Sequence, residues 1–224
     1  MKTLKLVLLP FMLSIFFIIG SAFTDGSKET ERVHGASNVI KDFGKMNESI
    51  PHDLISECQG IVIIPKLINA GFIVGGKRGR GVAMVKMDDG KWSDPVFVTL
   101  TGGSIGAQIG VQSVDLVLVF RHKGVLAKVK NGDFTVGGDA SAAAGPVGRS
   151  TSANTDYKLD AEIYSYSRSR GLFAGISING SNLAIDKTAN ANFYGNDLTS
   201  KEIFDMDKNG SEAVKTLKAS LVAL

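Results

Sequence analysis

CQGIVIIPKLINAGFIVGGKRGRGVAMVK, residues 58–86, holds three short apolar runs: Ile61–Ile64, Phe72–Val74 and Val82–Val85. Ile, Val and Phe pack well on a pleated surface, and runs of this length suit strands better than helices. Pro65 removes a ladder donor, so the first run is expected to end there or to lie at a sheet edge. Between the second and third runs stands Gly75-Gly76-Lys77-Arg78-Gly79-Arg80-Gly81, which reads as the tip of a hairpin because glycine supplies positive φ at no steric cost. Three cations in that tip make either a solubilising surface or a site for an anion.

The same composition extends outward. There are 26 glycines, about 12% of the chain against a usual ~7%, and they fall between apolar runs with no collagen period. Thr101–Gly110 and Phe134–Gly145 each carry a Gly-Gly pair followed by small residues, which predicts strands closely approached by another layer, with Gly138 and Gly175 among the packed positions. Val96–Leu100 and Val114–Phe120 read as strands, and Glu162–Ser181 alternates over two strands joined near Gly171. Leu183–Asp186 follows, and Asn190–Gly195 closes this region.

Helices are expected near both ends. Val33, Ala36, Ile40, Phe43 and Met46 recur every three or four residues within Ser27–Met46, the mark of an amphipathic helix. Its apolar face packs on the domain or lies on a membrane. Glu212–Leu224, with Val214, Leu217, Leu221 and Val222 and with Ser211 as cap, is the final helix. Ile50–Ile55 and Arg121–Lys130 predict short ones. The fold class is therefore α+β, a glycine-rich antiparallel sandwich or partly open barrel with N- and C-terminal helices packed on it.

Lys2 and Lys5 precede an apolar run from Leu6 to Ile19, followed by Gly20-Ser21-Ala22. A basic start, an apolar centre and small residues before a cut site predict a secretory signal over residues 1–22, cleaved after Ala22. The rival is an uncleaved anchor, which needs about 20 apolar residues. No cysteine follows the run, so the lipoprotein route is closed. The expectation is an exported protein, periplasmic or extracellular, whose single domain spans residues 23–224. Without Lys2 and Lys5 the 25 basic residues exceed the 22 acidic ones by one. That balance offers nothing to nucleic acid, and any preference for anions has to come from local clusters. Cys58 is the one cysteine, which excludes an internal disulfide, and it reads as a small buried hydrophobe.

Three patterns imitate chemistry. Gly102-Gly103-Ser104-Ile105-Gly106 matches Gly-x-Ser-x-Gly, with Asp115 and His122 in hydrolase order, but that motif needs a sharp strand-to-helix turn and here the chain continues as β. Asp205-x-Asp207-x-Asn209-Gly210 imitates a calcium loop, yet Thr216 stands where a bidentate Glu is needed. A turn capping the last helix is the better reading. Three histidines and one cysteine give no metal-ligand spacing, and no Walker or dinucleotide fingerprint is present. No enzymatic activity, metal or cofactor is expected.

Tyr164-Ser-Tyr-Ser-Arg-Ser-Arg-Gly-Leu-Phe-Ala-Gly-Ile-Ser-Ile-Asn-Gly-Ser181, then Asp186, then Asn192-Phe193-Tyr194-Gly195, resembles the SYLF family of lipid-binding domains. Gly60–Pro65, Gly71–Gly76, Trp92–Pro95 and Gly145–Gly148 extend the resemblance from about Asp25 onward. It implies binding of phosphoinositides and other anionic lipids. Some fungal members bind and bundle actin; an exported bacterial-type copy without SH3 or FYVE modules is not expected to meet it. The functional expectation is a non-enzymatic binder of anionic phospholipid headgroups or membrane surfaces, through Lys77, Arg78, Arg80 and Lys66. The alternatives are a structural or protein-binding envelope protein and, more remotely, a serine hydrolase using Ser104.

Overall fold

A computed structural model of the chain describes residues 26–46, 49–122, 125, 128–129, 134–145, 161–173, 176–195 and 198–224. The expected signal segment, residues 1–22, lies outside them. Helix α1 (Gly26–Gly44) and the short α2 (His52–Glu57) lead into two long strands, β1 (Gly60–Val85) and β2 (Val96–Phe120). Then come β3 (Phe134–Val136), β4 (Ala142–Ala144), β5 (Ile163–Ser169), β6 (Leu172–Phe173) and β7 (Ser181–Ile185). Helices α3 (Lys187–Tyr194), α4 (Ser200–Phe204) and α5 (Glu212–Val222) follow.

β1 and β2 form one antiparallel ribbon, paired from Gly60 opposite Phe120 to Ala83 opposite Val96. The expected hairpin tip at Gly75–Gly81 is therefore corrected: Gly75 pairs with Ser104, Gly79 with Leu100 and Gly81 with Val98, all inside the ribbon. None of these glycines has a left-handed φ. Their value is the absence of a side chain. A Cβ on Gly81 would sit 2.0 Å from the Ile63 carbonyl oxygen, and one on Gly79 3.2 Å from the Leu67 Cα. A Cβ on Gly75 would sit 2.5 Å from the Gly71 Cα. The chain does reverse here, but by folding the whole two-stranded ribbon over on itself between Gly71 and Gly75, with register shifts at Ile64/Leu67 and Gly71/Ile73 absorbing the bend.

Each half of the folded ribbon recruits its own strands. β2 near Val98–Thr101 pairs with β7, which pairs with β3. β2 near Asp115–Phe120 pairs with β5, which carries β4 and β6. The seven strands make one sheet folded into a barrel-like sandwich. It is the α+β class that the sequence predicts, with one departure: β4 runs parallel to β5.

Alternation along the strands fills both faces. Val62, Ile64, Leu67, Ala83, Val85, Val98, Leu116, Leu118 and Phe120 meet inside the folded ribbon. Ile61, Ile63, Val82, Met84, Phe97, Val117, Val119, Tyr164 and Tyr166 point outward and are covered by helices. Val33, Ala36, Ile40 and Phe43 of α1 and Val214, Leu217 and Leu221 of α5 are all buried there. The apolar stripe of α1 thus packs on the domain and is not a membrane face. Asn190–Gly195, left without an assigned element by the sequence, belongs to helix α3, capped by the Asp186 carboxylate on the Ala189 N–H and closed by Gly195 at φ 67°. Gly138, expected among the packed positions, instead lies exposed in a turn, where a Cβ would meet Thr135 at 3.3 Å and beyond. Gly175 lies outside the described residues.

Candidate functional site

Because Gly75–Gly81 is strand, the cations expected on a tip are sorted by alternation. Lys77 points inward and is only 6% exposed. Its Nζ donates to the Ser177 carbonyl, and burial lowers its pKa below the ordinary lysine value. Lys77 therefore closes the end of the barrel over the segment that carries Ile176 and Ile178. Arg78 and Arg80, opposite Thr101 and Thr99, stand exposed together on the outer face. Lys66 is exposed at the Ile64/Leu67 bulge with φ 52°, its N–H bound to Asp115 Oδ1 at 3.0 Å. The fold thus keeps three of the four predicted cations on the surface and takes Lys77 out.

A second cationic place lies between α1 and α5, where a groove of about 610 Å³ is lined by Lys41, Lys45, Lys215 and Glu212 over Ile40, Ala219 and Leu224. Lys45 approaches Asp42 at 3.8 Å, and Asp42 in turn accepts from Arg168 at 2.6 Å. The groove is less purely cationic than the Arg78–Arg80 face.

The hydrolase reading fails on geometry. Ser104 sits in β2, opposite Gly75, and the strand runs on to Phe120 without a turn into a helix. Asp115 holds Arg168 at 2.8 Å, and His122 is exposed beyond the strand end. Asp205–Gly210 is the turn that leads into α5: Asp207 pairs with Lys218 at 2.6 Å, Asn209 accepts from the Ser211 N–H, and Ser211 caps the helix. Cys58 is fully buried, and that burial pushes its pKa up to about 11. It is a packing residue.

Residues 101–224 match the family model described as Ysc84, Las17-binding protein actin regulator. The chain belongs to the Ysc84/SYLF family. The SH3 domain-containing YSC84-like protein 1 of Xenopus laevis is 36% identical over 169 residues, 72% of this chain and 50% of that protein. The human protein of the same name is 34% identical over 175 residues, 75% of this chain and 51% of its own. LAS seventeen-binding protein 3 of Saccharomyces cerevisiae is 33% identical over 177 residues, 75% of this chain and 38% of its own. The chain spans about half or less of the length of these curated relatives. The family is one of binding and actin-regulatory proteins, not one known for catalysis.

Seen as a Ysc84/SYLF domain, the chain spends its most recognisable residues on architecture. Tyr164 and Tyr166 alternate into the helix-covered core, and a Cβ on Gly145 would sit 2.0 Å from the Tyr166 ring. Asp94 of the Trp92–Pro95 segment is fully buried. Its carboxylate accepts from the Lys208 N–H at 3.0 Å, the Asn209 N–H at 2.8 Å and Lys218 Nζ at 2.7 Å. Sequence reading missed this hub. The turn-like Ser93-Asp94-Pro95 carried no sign that its acid would hold a loop more than a hundred residues away.

Proposed function

We propose that this Ysc84/SYLF domain is a non-enzymatic binder of anionic phospholipid surfaces, phosphoinositide-type headgroups among them. The observation that carries the reading is the pair Arg78 and Arg80, exposed side by side on a strand whose other face is buried. Lys66 adds a third surface cation. Each basic residue near an anionic leaflet contributes about 1 kcal/mol, so the two arginines supply about 2, roughly thirtyfold in partitioning. Guanidinium forks suit phosphate oxygens, and an outward row on a strand presents them with the backbone already ordered. Export through residues 1–22 would place this activity outside the cytoplasm. An N-terminus near Phe23 by mass spectrometry supports that part, and an intact Met1 overturns it.

Flotation with phosphatidylcholine vesicles containing phosphatidylserine or a phosphoinositide tests the main reading. Arg78→Glu/Arg80→Glu is expected to keep the wild-type melting temperature and lose flotation. Binding should also fade as salt rises toward 1 M, where the Debye length is about 3 Å. A folded double variant that floats like wild type refutes the placement on these residues and points to the α1–α5 groove with Lys41, Lys45 and Lys215. The second reading, a protein-binding role, is favoured by the family description, which names Las17 binding and actin regulation. It predicts capture of a partner protein with vesicles left unbound.

A further inference from the structure

Among the described residues four large apolar side chains stand exposed: Ile68 at 42%, Val111 at 76%, Leu172 at 73% and Val222 at 76%. Three of them lie at the folded end of the ribbon. Val111 is opposite Ala70, and Ile68 is opposite Ser113, so Ile68 and Val111 are diagonal neighbours on one face of the pair. Leu172 is opposite Ser169 just past the β5–β6 turn, and the Ser169 hydroxyl donates to the Ser113 carbonyl at 3.3 Å. β5 runs toward the same end, since Arg168 is opposite Asp115 and Ile163 opposite Phe120.

Behind this apolar end stand the cations. Lys66 is two residues further from the fold than Ile68 and four further than Ala70, the partner of Val111. At about 3.3 Å per strand residue, its backbone lies some 7–13 Å behind the apolar pair. Arg78 is three residues past Gly75 on the returning half and is exposed, whereas Arg170, at the tip of the β5–β6 turn, stands ahead of Leu172 and is no part of this rim. Surface apolar residues scattered singly need no explanation, but an adjacent exposed pair at one end with cations behind it does. The spacing matches a bilayer surface, whose anionic headgroups lie about 5–10 Å outside the depth that interfacial apolar groups reach.

We propose that the folded end of the β1–β2 ribbon inserts into the bilayer, with Ile68 and Val111 entering the acyl boundary while Lys66 and Arg78 remain at the headgroups. This rests on the anionic-lipid reading above and adds to it a defined end and depth. Insertion supplies an attraction that salt does not screen. Val111→Asn is therefore expected to float normally at low salt and to lose on the order of tenfold in the binding that survives at 1 M salt.

The buried Cys58 allows a direct test, because a thiol label added to the native Val111→Cys protein goes to the new residue. With an environment-sensitive fluorophore there, phosphatidylcholine–phosphatidylserine vesicles should raise and blue-shift emission, and lipids brominated on the acyl chains should quench it. A Val222→Cys protein labelled in the same way should show neither change. Vesicle-bound protein whose Val111 label keeps its aqueous emission overturns insertion and leaves headgroup binding standing. Failure of the unlabelled protein to float overturns both.

Discussion

Gly81→Ala tests how closely the two halves of the ribbon are stacked. The added Cβ would sit 2.0 Å from the Ile63 carbonyl oxygen and 2.9 Å from the Ile64 Cα, where ordinary contact begins at 3.4 Å. The obstruction is backbone on both sides, so no rotamer relieves it. The halves must separate by about 1.4 Å at that point, and a gap of even ~0.5–1 Å forfeits a quarter to a half of each dispersion well. The side chains that lose contact include Ile64, Leu67 and Ala83. Overpacking of this kind costs about 1–3 kcal/mol, and a clash with backbone belongs at the upper end. A domain of this size loses about 2–4 °C per kcal/mol, so a melting temperature lower by about 6–12 °C is expected. Gly103→Ala is the control: it lies in the same ribbon, has an ordinary φ and meets nothing within 4 Å. It should be neutral or stabilise by about 0.4–1 kcal/mol. Melting followed by circular dichroism decides the matter. Two variants that melt together would show that the ribbon is not folded this tightly.

Asp94→Ala leaves the Lys208 and Asn209 N–H groups without their acceptor and Lys218 with Asp207 alone, and should destabilise by about 2–4 kcal/mol in urea titrations. A loss under 1 kcal/mol would mean that solvent already reaches this carboxylate. Cys58, raised from 9.0 to about 11, favours the fold below pH 9, and this contribution is lost as pH rises through 11, because the unfolded thiol ionises first. Cys58→Ala should therefore lose less stability than wild type between pH 9 and 11. The native thiol should also label at neutral pH only as fast as the chain unfolds, and rapid labelling would contradict its burial.

The class of the fold was legible in Ile61–Ile64, Val82–Val85 and Val114–Phe120, whose runs have strand length and β-branched character. The end helices were legible in the spacing of Val33–Phe43 and Val214–Leu221. Glycine caused the main misreading. A Gly-Gly-x-x-Gly-x-Gly run signals either positive φ or close approach, and only the strand on the other side of the contact says which. Once Gly79 and Gly81 are packing glycines, alternation puts Lys77 inside and Arg78 and Arg80 outside, so the error about the turn became an error about the site. Helix α3 went unread because the Asn and Ala between Asp186 and Gly195 carry too weak an apolar periodicity to mark a helix. The Asp94 hub and the apolar end at Ile68 and Val111 depend on distant partners, and no local pattern encodes them.

The pairing of α1 with α5 has a consequence for the order of assembly. Ser37 on α1 meets the Ser220 hydroxyl at 2.9 Å across 183 residues of sequence. A chain emerging from a ribosome or a translocation pore presents α1 first. The flank of α1 that α5 covers stays wet until everything between them has passed. The ribbon can zip outward from the turn at Asp88–Gly90 much earlier, because its strands are neighbours in sequence. Closure of α5 over α1 is thus expected to be a late event in folding.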